Sequence, residues 1–318
     1  MPEYRSGLPQ LGGAPFLTDG GIETTLIFHE GLELPDFAAF VLLKNESGVA
    51  ALRKYFRTYA AIAARFNAGL ILEAPTWRAS CDWGDRLGYS SVALAEANRA
   101  AIVLIDEIRK EMAHGQPVIL SGCVGPRGDG YVLSHVMTAD DAASYHQAQV
   151  DTFADTAADM VCAITMNYAQ EAIGVARAAQ RAGMPVAISF TVETDGNLPS
   201  GHPLGTAIQE VDAATSGYPS YYMLNCAHPS HFDHVLSGDV WTTRIQGLRA
   251  NASRKSHAEL NESTDVDIGD PAELASLYAE LRWKELPRLN VLGGCCGTDH
   301  RHVECIAEAC VHHIRGAL

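Results

Sequence analysis

The stretch NVLGGCCGTDHRHV, Asn290 to Val303, changes period in its middle. Leu289 to Leu292 reads as a short apolar strand, whereas Val303, Ile306, Ala307, Cys310 and Ile314 recur at helical spacing. Between them, Gly293, Gly294 and Gly297 bracket the adjacent pair Cys295–Cys296, so the cysteines lie at a strand-to-helix turn. Glycines permit backbone conformations there that other residues avoid. The N-terminal end of the following helix is expected to favour thiolate over thiol. Neighbouring cysteines bond poorly to each other across one peptide. Two readings stand at this point: a thiolate pair suited to a borderline-soft metal such as zinc, or two small buried core residues.

Working outward, the same strand-then-helix alternation recurs. Strands are predicted at Phe16 to Asp19, Leu70 to Glu73, Pro117 to Ser121, Met160 to Thr165, Met184 to Phe190, Tyr221 to Asn225 and Trp241 to Leu248. Helices are predicted from an N-cap at Ser47 to before Gly69, from Val92 to Met112, from a capping box at Thr138 and Asp141, from Ala169 to Arg181, and from Pro271 to about Glu285. Glu193 to Gly217 reads as a long loop with a short helix, and Ala250 to Gly269 as a polar loop. GCVGPRGDG, after the third strand, lacks the order of a phosphate-binding motif and reads as a strand end lining a pocket. About eight such units imply a parallel sheet closed into a (β/α)8 TIM barrel, a single domain spanning residues 1–318. The open doubly wound alternative lacks its glycine fingerprint in the first turn.

Composition narrows the function. A formal charge of −15 argues against nucleic acid or an anionic membrane surface as partner. No apolar run reaches the length of a membrane span, and the start lacks a signal-peptide pattern. The eight cysteines, at 81, 123, 162, 226, 295, 296, 305 and 310, are unevenly spaced and do not resemble a disulfide framework. A reducing cytoplasm is the default compartment, and a homo-oligomer is left open.

A barrel gathers its strand ends at one mouth. Asp19, Glu73, Cys123, Thr165, Cys226 and the Cys295–Cys296 pair all fall at such ends, which favours the metal reading. Cys226, in LNCAHP, is the third ligand of choice. Three protein ligands with a fourth position open is the pattern of a catalytic zinc, and a three-thiolate shell suits binding and alkylation of an exogenous thiol. His228, His231, His234, His300 and His302 are the candidates for a closing fourth ligand, which would make the site a structural staple. His312 and His313 are expected to face solvent. Cys81, Cys123 and Cys162 read as small buried thiols, and Cys305 and Cys310 as core.

GGCCGTDHRHV, the Asn225–Cys226 pair, the opening TDGGIETTL and the central SGCVGPRG together resemble the zinc-dependent homocysteine S-methyltransferase family, in matching order over nearly the whole chain. The resemblance implies a (β/α)8 barrel, one Zn2+ on Cys226, Cys295 and Cys296, and methyl transfer to homocysteine. It implies that Asp19, Gly20 and Gly21 help to hold the amino acid acceptor, with Thr24 just beyond, and that Asn225 supports the metal site. One departure stands out. The family tends to carry a glutamate at the end of the fourth strand for the acceptor's ammonium group, and Ile164 occupies that place here. Glu73 or Glu193 is the expected substitute; otherwise the acceptor is a different small thiol. A diffusible onium donor is expected: S-methylmethionine, S-adenosylmethionine or a betaine. Trp77, Trp83 and Tyr131 are candidate aromatic faces for its positive centre.

Overall fold

The computed structural model describes the chain except residues 113–114, 135, 237, 264 and 316–318, with the side chains of 261 and 312–315 also outside the description. The expectation for His312 and His313 therefore falls outside the described residues.

Eight parallel strands form one closed barrel in chain order: β1 (Phe16–Leu17), β2 (Gly69–Glu73), β3 (Val118–Val124), β4 (Met160–Met166), β5 (Val186–Phe190), β6 (Tyr221–Asn225), β7 (Ile245–Ala250) and β8 (Val291–Gly294). The ring closes where Phe16 pairs with Val291 and Leu17 with Leu292. Side chains alternate along each strand. Phe16, Ile71, Ile119, Cys123, Cys162, Met223 and Val291 fill the barrel interior. Leu17, Leu70, Leu72, Leu120, Val161 and Ala163 pack outward beneath the helices.

The helical layer comprises α1 (Glu46–Phe66), α2 (Cys81–Arg86), α3 (Ser91–Glu111), α4 (Ala139–Ala154), α5 (Ala169–Arg181), α6 (Leu204–Thr215), α7 (His257–Asn261), α8 (Pro271–Lys284) and α9 (His300–Arg315). Several sequence expectations need correction. The N-cap of α1 is Asn45, not Ser47, because Asn45 Oδ1 accepts the Gly48 N–H at 2.8 Å and leaves Ser47 inside the first turn. Helix α1 ends at a left-handed Asn67, and Gly69 already belongs to β2. Thr138 caps α4 through the Asp141 N–H, but the Asp141 carboxylate returns to the threonine hydroxyl rather than to its backbone, so the capping box is incomplete. Val240–Arg244 is a 3-10 turn and the strand starts only at Ile245. The connection from β6 to β7 holds only short 3-10 turns among the described residues, so not every strand is followed by an α-helix. The polar segment 250–269 contains α7, which carries a true capping box between Ser256 and Glu259.

The first fourteen residues close the base of the barrel. The Asp159 carboxylate, at the foot of β4, accepts the Glu3 and Tyr4 N–H groups at 2.7 and 2.8 Å, the Leu120 N–H at 2.9 Å and Arg109 at 3.1 Å. Arg5 donates to the carbonyls of Ala154, Thr156 and Ala158. Leu8 packs into the interior cluster from below. With that end plugged, the C-terminal mouth is the open end of the barrel. No described helix is long and apolar enough to cross a membrane.

Candidate metal centre

Three sulfurs meet at the mouth. The Sγ atoms of Cys226, Cys295 and Cys296 lie within 4.8 Å of one another, with Cys226 and Cys296 3.9 Å apart. Cys226 and Cys295 lie side by side, their Cα atoms 5.4 Å apart, because β6 and β8 flank β7 and the barrel brings two distant strand ends together. A tetrahedral zinc with bonds of about 2.3 Å needs sulfurs about 3.8 Å apart, so the reduced trio has the donor type and spacing for such an ion. No histidine joins this cluster among the described residues. His231 Nε2 bonds the Arg254 carbonyl, His302 is held between Asp299 and the Ile268 carbonyl, and burial pushes His228 down to about 4.

Two of the strand ends are re-aimed by strained backbone. Thr165 (φ 66) and Cys226 (φ 54) both adopt the left-handed region, which costs on the order of 1–3 kcal/mol each for such residues. Asn225 offsets that strain. Its Oδ1 accepts from the Thr165 N–H at 3.0 Å and the Ser189 hydroxyl at 2.6 Å, while its Nδ2 donates to Thr165 Oγ1 at 2.8 Å. One side chain therefore ties together the ends of β4, β5 and β6.

Asn251, just past β7, is a clamp that the sequence reading missed. Its Nδ2 donates to the Cys226 carbonyl and its Oδ1 accepts the Cys296 N–H, both at 3.0 Å. His257 Nε2 bonds the same Cys226 carbonyl at 2.6 Å, and its Nδ1 meets Glu193 at 3.1 Å. The Tyr131 ring lies against His257, tilted by 31° with centroids 4.1 Å apart, and its hydroxyl reaches Cys296 Sγ at 3.6 Å. Cys296 stays open to solvent at the rim. Although the residue is exposed, its sulfur is crowded by surrounding groups, and that desolvation pushes its thiol up to about 11, against the Tyr131 hydrogen bond. Helix α9 starts only at His300, so its N-terminal end is not directly at Cys296.

The opening TDGGIETTL forms the opposite wall. The Gly21 N–H donates to the Thr298 carbonyl at 3.1 Å, and the Gly297 N–H to Thr24 Oγ1 at 3.0 Å. A Cβ on Gly21 would fall 2.5 Å from the Cys295 carbonyl oxygen, so this approach requires glycine. Gly20 lends its carbonyl to the Tyr55 hydroxyl at 2.9 Å. Asp19 is not a free carboxylate: Arg249 Nη2 lies 2.5 Å from one oxygen and the Tyr55 hydroxyl 2.8 Å from the other. Burial nevertheless raises its carboxyl above the ordinary value. Glu73, 6% exposed at the end of β2, has an oxygen without a partner and is pushed by burial to about 7. It faces Ser121, Cys162 and Arg249 inside the barrel.

Other expectations fare differently. Cys123 and Cys162 are buried in the interior, and Cys310 in the outer core. Cys81 is exposed, because it opens α2 on the rim, and Cys305 is only partly covered. The guanidinium of Arg78 lies over the rings of both Trp77 and Trp83, at 3.9 and 3.8 Å. These indoles already hold a cation, which disfavours them as a platform for an onium donor.

Comparison with known proteins agrees with this arrangement. Betaine–homocysteine S-methyltransferase 1 of Bos taurus is 28% identical over 181 residues, covering 51% of this chain and 42% of the relative. That of Rattus norvegicus is 28% identical over 182 residues, again covering 42% of the relative. The matched segment thus spans less than half the length of these curated relatives. Among solved structures, the oxidized and metallated forms of the homocysteine methyltransferase MmuM from Escherichia coli superpose with TM-scores of 0.73 and 0.69. The identities are 18% and 17%, and each covers 93% of this chain and 96% of the other, a likeness of fold. The sequence profile of homocysteine S-methyltransferases matches residues 16–310, nearly the whole barrel and all three clustered cysteines, and the chain belongs to that family.

Proposed function

We propose that this protein transfers a methyl group from a small onium donor to a thiol acceptor, homocysteine, at a zinc ion held by Cys226, Cys295 and Cys296. The observation that carries the reading is the set of three convergent sulfurs at the barrel mouth, without a fourth protein donor among the described residues. When bound, zinc would lower the pKa of the acceptor thiol while its sulfur-rich shell leaves that thiol nucleophilic. The reaction forms an S–CH3 bond as the donor's onium–CH3 bond breaks. The donor leaves with one positive charge fewer, and the acceptor's proton passes to solvent.

The chain's own residues supply position. Asn225 and Asn251 hold the backbone on either side of the cysteines, and the Gly21–Thr24 turn fixes the distance from the acceptor wall to the cysteine turn. The plugged base leaves entry only from above. Ile164 favours a second reading, a small thiol without an amino group: it is 8% exposed and packed with Cys123, Cys162 and Met223, so it offers no charge.

The test is an acceptor screen on zinc-loaded, reduced protein with methyl-labelled S-methylmethionine, S-adenosylmethionine and glycine betaine. Labelled methionine from homocysteine, lost in Cys226→Ala, Cys295→Ala and Cys296→Ala, is the expected outcome. Product only from thiols lacking the amino group would favour the second reading. No transfer with any pairing would leave the metal as a staple.

A further inference from the structure

An amino thiol seated with its sulfur at the three cysteines brings an ammonium group into the mouth. A buried cation without a counter-charge is costly, so an acid must face it. The acids at this mouth are not equivalent. Asp19 is committed to Arg249 and Tyr55. Glu193 is committed to His257. Glu73 points below the rim among Ser121, Cys162 and Arg249.

Glu23 differs from all three. It sits on the turn between Gly21 and Thr24, whose hydrogen bonds to Thr298 and Gly297 lock it against the cysteine turn. Its charge bears on the Cys296 thiol and on the Tyr131 hydroxyl. Its carboxylate, on a half-buried residue, has no ion pair among the described residues. Arg78, which also bears on Glu23 in charge terms, is held instead between two indoles, by the Gly128 carbonyl at 2.9 Å and by Asp129 at 3.9 Å. We infer that Glu23 is the specificity residue that receives the acceptor's ammonium group, opposite an Ile164 that cannot. The inference rests on the methyl-transfer reading above. Burial also pushes the Glu23 carboxyl up to about 7.

The test compares direct binding of homocysteine and of 4-mercaptobutanoate, its analogue without the amino group, to reduced zinc-loaded protein by calorimetry. Glu23→Gln should weaken homocysteine by roughly tenfold to a hundredfold, the range of a lost charge-assisted hydrogen bond, and leave 4-mercaptobutanoate unchanged. Zinc content serves as the control for folding. Ile164→Glu added to Glu23→Gln should recover homocysteine affinity without altering the analogue. Equal weakening of both thiols, or homocysteine binding insensitive to Glu23→Gln, overturns the assignment while leaving the methyl-transfer reading standing. Failure of the wild-type protein to bind either thiol overturns both.

Discussion

Replacing Asn251 by Ala removes one side chain that bonds two ligand-bearing turns at once. The Cys226 carbonyl keeps His257 as a partner at 2.6 Å, so its loss is that of an ordinary hydrogen bond, about 0.5–1.5 kcal/mol. The Cys296 N–H has Asn251 Oδ1 as its partner, and leaving that donor unmatched costs about 1–3 kcal/mol. The sum, roughly 2–4 kcal/mol, falls mainly on the order of the cysteine turns rather than on the core. Zinc affinity should therefore drop by roughly thirtyfold to several hundredfold, at or above the usual effect of outer contacts of metal sites. Competition with a chelator under reducing conditions reads this directly, with the thermal transition of metal-free protein as the control. Asn251→Ala binding zinc within twofold of wild type would refute the idea that this residue sets the spacing of Cys226 and Cys296.

Other outcomes follow from the same geometry. Glu73 has a folded-state pKa of about 7 against an ordinary 4.5, so the folded protein binds its proton more tightly than the unfolded chain. Stability should accordingly fall as pH rises from about 4.5 to 7, by about 3 kcal/mol from this group, and Glu73→Gln should flatten that decline in urea denaturation. Oxidising Cys226 and Cys295 to a disulfide should abolish zinc binding at this centre, and reduction should restore about one ion per chain by metal analysis. Asp159→Ala strips a buried carboxylate from Arg109 and three backbone amides, and should cost about 3–5 kcal/mol in thermal or urea unfolding while leaving zinc affinity of the folded protein intact.

The barrel was legible because each strand end carries its own punctuation: a short apolar run, then glycine or a polar residue, then helical spacing. The three cysteines were legible because they recur at such ends. What stayed hidden was hidden for physical reasons. Asn251 lies in a polar segment that reads as loop, and its role depends on two carbonyl and amide groups 25 and 45 residues away. The left-handed backbone of Thr165 and Cys226 has no compositional signal, since neither residue type prefers it. Asp19 reads in sequence as a substrate acid, and its pairing with Arg249, 230 positions away, has no signal there. Glu23 has the opposite history: a charged residue in a turn normally faces solvent, and only the packing of its turn against Gly297 and Thr298 draws it into the mouth. Trp77 and Trp83 showed aromatic faces in sequence, with no indication that Arg78 between them would occupy both.

On the proposed function, the three sulfurs leave a bound metal one coordination position for an incoming thiol. Cobalt-substituted, reduced protein titrated with homocysteine tests it most directly, because sulfur-to-cobalt charge-transfer absorption counts the thiolates bound. The account predicts a saturable increase corresponding to a fourth thiolate, at one equivalent per chain and absent in Cys296→Ala. A spectrum that does not change over the titration would contradict it and reduce the centre to a staple between β6 and β8.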